Sequence, residues 1–276
     1  MERELFNACK DGKVEEVKAL LQDPQININW KNQDNDHFTP LSIACELGHI
    51  EIAKLLLNDQ RVDLNKSNED GETPFFIACR AGRIEIVKIL LNDERIDINK
   101  AEKSISATPF FIACGKGHIE IVKLLLNEGV RIEINKGNEF DQTPFYMACQ
   151  SEFLDIVKLL LNDKRVDINK GDRYGRTPFW IACYCGKFDT VILLLNDKRV
   201  DINKAKNNDN WTPLHVVCEM GHIDIVEYIL AHEKVNFKAT NGQGKMAIEM
   251  MKGNEKKILG KRRRISRKKK KVHKSC

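Results

Sequence analysis

The dipeptide Thr-Pro occurs six times, at Thr39-Pro40, Thr73-Pro74, Thr108-Pro109, Thr143-Pro144, Thr177-Pro178 and Thr212-Pro213, at spacings of 34, 35, 35, 34 and 35 residues. A period this regular requires a linear array of like units, each unable to bury its apolar face without a neighbour. Each pair opens the same passage: Thr73-Pro-Phe-Phe-Ile-Ala-Cys79, two variable residues, Gly82, then Arg83-Ile-Glu-Ile-Val-Lys-Ile-Leu-Leu91. Threonine caps a helix N-terminus, and proline fits the first turn, where its missing N–H costs nothing. The following residues are apolar almost all round, as in a helix with neighbours on several sides. Gly48, Gly82, Gly117, Gly186 and Gly221 end it, because a left-handed C′ position suits glycine. A second helix follows, such as Ile50 to Leu57, with Glu51 in its first turn complementing the helix dipole. Arg61-Val-Asp-Leu-Asn-Lys66 and its counterparts are predicted to be extended returns into polar turns such as Asn68-Glu-Asp-Gly71.

These residues resemble the ankyrin repeat family. The family's Thr-Pro-Leu-His stands whole at Thr212-Pro213-Leu214-His215, and Gly-His recurs at Gly48-His49, Gly117-His118 and Gly221-His222. Residues 4–30 look like an N-terminal capping unit, and residues 241–251 look like a degenerate last unit with Gly244-Lys245 in place of Thr-Pro. The resemblance implies an all-α ankyrin-repeat solenoid, of stacked helix-turn-helix units with extended turn or hairpin connections, over residues 1–251. It also implies macromolecular binding rather than catalysis. Three departures stand out. Most units have 34 or 35 residues instead of the family's 33. Ser42, Phe76, Phe111, Tyr146 and Trp180 replace the motif histidine. Glu152 occupies a helix-ending glycine position, which predicts a strained or rebuilt turn.

Charge divides the chain. Residues 252–276 carry 13 Lys or Arg and one acid, whereas residues 1–251 carry 32 basic and 39 acidic residues. The tail, Lys261, Arg262, Arg263, Arg264, Ile265, Ser266, Arg267, Lys268, Lys269, Lys270 and Lys271, is too charged to fold alone and is expected to be disordered. Such a run suits nuclear import, nucleic acid, an anionic membrane surface or the acidic repeats themselves. Ser266 is a candidate site for a basophilic kinase, where phosphate would remove up to about two positive charges. The 42 % hydrophobic content suffices for a packed interior, yet no apolar run approaches the roughly 18 residues of a membrane span. No secretory signal is visible at Met1 to Gly12, so an intracellular, cytoplasmic or nuclear protein is expected, and a monomer.

Seven of the nine cysteines, Cys9, Cys45, Cys79, Cys114, Cys149, Cys183 and Cys218, fall at one helix position per unit. Stacked helices lie about 8–10 Å apart, too far to share a zinc ion at about 2.3 Å per thiolate or to approach the Cα limit of about 7 Å for a disulfide. They are expected to be small buried thiols, reduced and without metal. Cys183 and Cys185 point apart on one helix, and Cys276 is terminal with no prenylation box around it. The histidines form no nucleophile pairing, and Asn241-Gly-Gln-Gly244 is a turn rather than a phosphate loop. No enzyme, cofactor or metal site is expected. Phe76, Phe111, Tyr146 and Trp180, beside apolar Phe75, Phe110, Phe145 and Phe179, are expected to pack between units.

Interface candidates are positions free of apolar constraint: the two residues before each helix-ending glycine (Glu46-Leu47, Arg80-Ala81, Tyr184-Cys185, Glu219-Met220) and the turn tips Phe140, Arg173, Tyr174, Arg176 and Trp211. Aromatic residues and arginine are enriched at interaction hot spots. The expected function is a scaffold that docks a protein partner along the concave face and the turn tips. A nuclear or nucleic-acid-associated regulator acting through its basic tail is the alternative.

Overall fold

The computed structural model describes residues 1–251, so the basic tail with Ser266, and Cys276, lie outside the described residues. The chain groups into two compact units, Met1–Phe140 and a second that begins at Asp141. The first unit contains α1 (Glu2–Asp11), α2 (Val14–Leu21), α3 (Pro40–Leu47), α4 (Ile50–Asn58), α5 (Pro74–Arg80), α6 (Ile84–Leu91), α7 (Pro109–Lys116) and α8 (Ile119–Asn127). The second contains α9 (Pro144–Ser151), α10 (Leu154–Asn162), α11 (Pro178–Tyr184), α12 (Phe188–Leu195), α13 (Pro213–Met220) and α14 (Ile223–Ala231), and ends in a 3-10 helix, Ala247–Met250. In each unit the first helices of successive hairpins pack side by side, and so do the second helices.

Every Thr-Pro helix begins as its sequence requires. The hydroxyls of Thr39, Thr73, Thr108, Thr143 and Thr177 each accept the backbone N–H three residues on, at 3.1 Å. Apolar side chains then fill the stack: Phe75, Phe76, Phe110 and Phe111 in the first unit, Phe145, Tyr146, Phe179 and Trp180 in the second, all at most 3 % exposed. The aromatic series is thus packing, as expected. All seven in-register cysteines are buried in this layer. Burial pushes the thiols of Cys9 and Cys218 up to about 12 and moves those of Cys45, Cys79, Cys114, Cys149 and Cys183 well above the ordinary thiol range.

The returns correct the sequence reading. They are chains of tight turns, not extended segments, because their Asp and Asn side chains cap the backbone two residues on. Asp59 accepts the Arg61 N–H at 3.0 Å and Asp63 accepts the Asn65 N–H at 3.1 Å. The lengthened returns also supply two ladders. In one, an asparagine of each return bridges to the next. Asn65 donates to the Arg95 carbonyl at 2.7 Å and accepts the Asp97 N–H at 2.8 Å. Asn29, Asn99, Asn169 and Asn203 make the same pair of bonds. At about 1 kcal/mol net per bond, each rung contributes about 2 kcal/mol between neighbouring returns, beside buried return side chains such as Val62, Leu64, Ile96 and Ile98. In the other ladder an arginine closes the preceding second helix. Arg61 reaches the carbonyls of Leu21 and Asp23 at 2.9 Å, Arg95 that of Leu57, and Arg199 that of Leu161. These satisfy carbonyls that a helix end leaves unpaired. Asp59, Asp93, Asp163 and Asp197 hold the return arginines by side-chain hydrogen bonds, which keep those carboxyls below the ordinary range.

The recurring Gly-His has a packing reason. A Cβ on Gly82 would lie 2.7 Å from the His118 ring, and one on Gly186 would lie 2.7 Å from the His222 ring. Each histidine donates its Nε2 proton to a carbonyl of the preceding helix, His118 to Arg80 and His222 to Tyr184, at 3.1 Å. Where the histidine is Arg83, its Nε donates to the Glu46 carbonyl at 2.7 Å. Glu152 is left-handed, with φ of 63°, so the strained turn read from the sequence is present. There the next repeat presents Lys187 at the histidine position, and its ammonium pairs with the Glu152 carboxylate at 3.5 Å.

The one motif histidine, His215, is fully buried. Its Nδ1 accepts the Thr212 N–H at 3.2 Å, and Nε2 donates to the Lys245 carbonyl at 3.1 Å. This arrangement needs the neutral ring, and burial lowers the imidazole from its ordinary value, against smaller opposing effects of the Lys245 carbonyl and Asp209. Because the folded state prefers neutral His215, its contribution is complete above about pH 6.5 and is lost as pH falls below that value. The urea midpoint is therefore expected to fall between about pH 7.5 and about pH 5.5 by more in the wild type than in His215→Gln. Equal pH dependence in the two proteins would show that His215 does not titrate against the fold.

Candidate protein-binding surface

In each Thr-Pro helix, the residue before the threonine, the third residue after it and the seventh share one face, since side chains four apart stack along a helix. In the second repeat these are Glu72, Phe76 and Arg80. Arg80 Nε lies 3.0 Å from the Glu72 carboxylate and Nη2 lies 3.4 Å from Glu46. Arg80, a candidate from the sequence, is thus ion-paired to two carboxylates of the fold. Phe140 is half-buried, with its N–H on Asn138 Oδ1 at 3.0 Å, and belongs to the first unit.

In the fifth repeat the same positions hold Arg176, Trp180 and Tyr184, and here the chemistry changes. Trp180 and Tyr184 stack with centroids 5.6 Å apart and an interplanar angle of 11°. Trp180 is 3 % exposed, while Tyr184 keeps 43 % of its surface in solvent. The turn before this helix adds Tyr174, 47 % exposed, with the Arg176 guanidinium 4.9 Å from its ring centre. The next turn contributes Lys206, whose ammonium sits 5.9 Å from the Trp180 ring and 5.5 Å from the Trp211 ring. The Trp180 indole donates to the Trp211 carbonyl at 3.0 Å, tying the two turns together.

A buried carboxylate fixes this cluster. The Asp172 side chain has no solvent exposure and accepts Arg176 Nε at 2.6 Å and Nη2 at 2.5 Å. It also caps the Tyr174 and Arg176 N–H groups at 3.0 and 2.9 Å. Gly175 brings the neighbouring turn close: its φ is 77°, and an added Cβ would lie 2.2 Å from Asn207 Oδ1. The Asn207 N–H donates to the Tyr174 carbonyl at 2.8 Å. Tyr174, Arg176, Trp180, Tyr184, Lys206 and Asn208 together line a hollow of about 330 Å³. Larger hollows lie between second helices of each unit, about 450 Å³ at Lys54, Leu57 and Asn58 and about 560 Å³ at Lys158, Leu161 and Asn162. Neither has an aromatic side chain in its lining.

The structure therefore gathers Tyr174, Arg176, Tyr184 and Trp211 from the candidate set and leaves Arg173 exposed on the same turn as Tyr174. Arg80 and Phe140 belong to the first unit. Trp180 and Lys206, absent from the candidates, are central to the cluster. The pattern that finds Trp180 is its four-residue spacing from Arg176 and from Tyr184. Lys206 is placed only by the pairing of two turns about 30 residues apart.

Helix hairpins repeating at 34 or 35 residues, with cores of like composition, define an all-α repeat solenoid class. The family profile described as ankyrin repeats (3 copies) matches residues 5–102, 60–136, 99–172 and 164–241, and the chain belongs to the ankyrin repeat family. Ankyrin repeats are protein–protein interaction modules, typically without catalytic activity. No curated protein matches this sequence. No helix among the described residues is long and apolar enough to cross a membrane.

Proposed function

We propose that this protein is a non-catalytic scaffold that docks a protein partner on the first-helix face and turn tips of the unit beginning at Asp141. One observation carries the reading: Tyr174 and Tyr184 stay about half exposed beside buried Trp180, and at the Tyr184 register the other repeats carry Glu46, Arg80, Gly115, Gln150 and Glu219, none of them aromatic. Aromatic anchors rimmed by cations are what interface hot spots consist of. The test is a photo-reactive amino acid introduced at Tyr184, with another at Lys54 as the control, in cells that express the protein. A defined adduct at 184 and none at 54 is expected. Adducts that do not distinguish the two positions would defeat the reading.

The sequence supports a second reading, a nuclear or nucleic-acid-associated regulator, on the step from a net-acidic repeat region to 13 basic residues in the last 25. Neutralised phosphates release counterions, so polyanion binding through the tail would weaken steeply with salt. Deleting residues 261–276 should abolish it and leave the 184 adduct intact. A cytoplasmic or nuclear site of action belongs to the same proposal.

A further inference from the structure

We infer that the hollow formed by Tyr174, Arg176, Trp180, Tyr184 and Lys206 takes an acidic peptide segment, one whose carboxylates flank an apolar or aromatic side chain. This rests on the docking reading above and specifies its ligand. The first argument is charge. Residues 1–251 carry an excess of acids, as do the early turns: residues 31–38 and 66–72 hold five acids against two lysines. The two turns that build the hollow reverse this. Residues 170–176 and 203–211 hold Lys170, Arg173, Arg176, Lys204 and Lys206 against Asp172 and Asp209. Both acids are already engaged, Asp172 by Arg176 and Asp209 by Lys206 at 2.9 Å. The patch is thus basic within a unit whose residues 141–251 are near neutral, with 15 acids and 14 Lys or Arg in all, and complementary potential selects and steers an acidic partner.

The second argument is donor geometry. Arg176 spends Nε and Nη2 on Asp172, and its Nη1 edge makes no hydrogen bond among the described residues. Because Asp172 clamps the guanidinium, that edge is preorganised at little further entropic cost, as a fork for an incoming carboxylate. The third argument excludes a cationic ligand. Aromatic rings often receive quaternary ammonium or methylated lysine groups, but here Arg176 lies over the Tyr174 ring and Lys206 over those of Trp180 and Trp211. A further cation would meet like charge. The exposed tyrosine rings remain for an apolar side chain.

The test selects phage-displayed random dodecapeptides on the full chain, with counter-selection on the Tyr184→Ala chain to discard peptides held by the basic tail. Enriched peptides are then synthesised with a fluorophore and titrated by polarisation, alongside a single-stranded oligouridine. Acidic peptides carrying an apolar residue are expected. Their affinity should fall at least about tenfold with Lys206→Glu or Tyr184→Ala, and also between about 50 and about 300 mM salt. It should be unchanged on deletion of residues 261–276. Both substitutions are on partly exposed side chains, and each variant's melting curve verifies its fold. Neutral or basic peptides that still depend on Tyr184 would overturn the acidic assignment while leaving the docking surface standing. Tyr184-dependent oligouridine binding without acidic peptides would assign the hollow to nucleic acid instead. Failure to enrich any Tyr184-dependent peptide would remove both the assignment and the docking reading.

Discussion

Replacing Trp180 by alanine is expected to destabilise the protein by about 3–5 kcal/mol, the range for removing a large aromatic from a packed interior. Its ring is 3 % exposed and stacked on Tyr184, so the cavity would open beneath the proposed docking surface and cannot be filled by solvent-facing neighbours. The Trp211 carbonyl would also lose the indole N–H that ties the two turns. Trp180→Phe should cost less, about 1–2 kcal/mol, because ring volume is mostly retained and the hydrogen bond alone is lost. The second and third repeats carry Phe76 and Phe111 at the same register, which shows that the site accepts a phenyl ring. Urea denaturation followed by far-ultraviolet circular dichroism measures both. A cost below about 1 kcal/mol for the alanine variant would mean that the cluster is held by Asp172 and Gly175, not by the indole. Of the two, Trp180→Phe is the variant for binding studies, since it removes one bond without collapsing the hollow.

The Thr-Pro helices are legible in the sequence because each is specified locally: a threonine cap, a proline, an apolar run and a terminal glycine or its strained substitute, Glu152. The returns were misread for a physical reason. Asp63 and Asn65 look like the polar positions of an extended Val-Asp-Leu-Asn return. Their side chains instead satisfy backbone groups two residues on and in the next return, and the second of these partners is about 30 residues distant. The aromatic and basic cluster proposed for docking is legible in part. Tyr174, Arg176, Tyr184 and Trp211 stand out by residue type at unconstrained positions. Arg80 stood out equally, and only the placement of Glu72 and Glu46 beside it shows that its charge is spent within the fold. Residue type reveals what a position could bind, whereas the neighbouring repeat decides whether that capacity is already used.

The same dependence on the neighbour gives the second large effect, at Gly186. Its φ of 67° costs a side chain about 1–2 kcal/mol, and an added methyl would meet the His222 ring at 2.7 Å, an overpacking cost of about 1–3 kcal/mol. Gly186→Ala is therefore expected to lose about 2–5 kcal/mol. Part of that loss belongs to the pair and not to the glycine. At Glu152 the chain tolerates a full side chain in the left-handed conformation, and there the next repeat presents the flexible Lys187 in place of the rigid imidazole. Combining Gly186→Ala with His222→Lys should remove the steric component and leave only the backbone strain. The double-mutant cycle should then show a favourable coupling of about 1–2 kcal/mol, read from urea midpoints of the four proteins. The expected direction is specific: His222→Lys alone destabilises, because the hydrogen bond to the Tyr184 carbonyl is lost, yet it rescues the alanine variant. Costs that simply add, within about 0.5 kcal/mol, would show that the left-handed backbone alone selects glycine here and that histidine is indifferent to it.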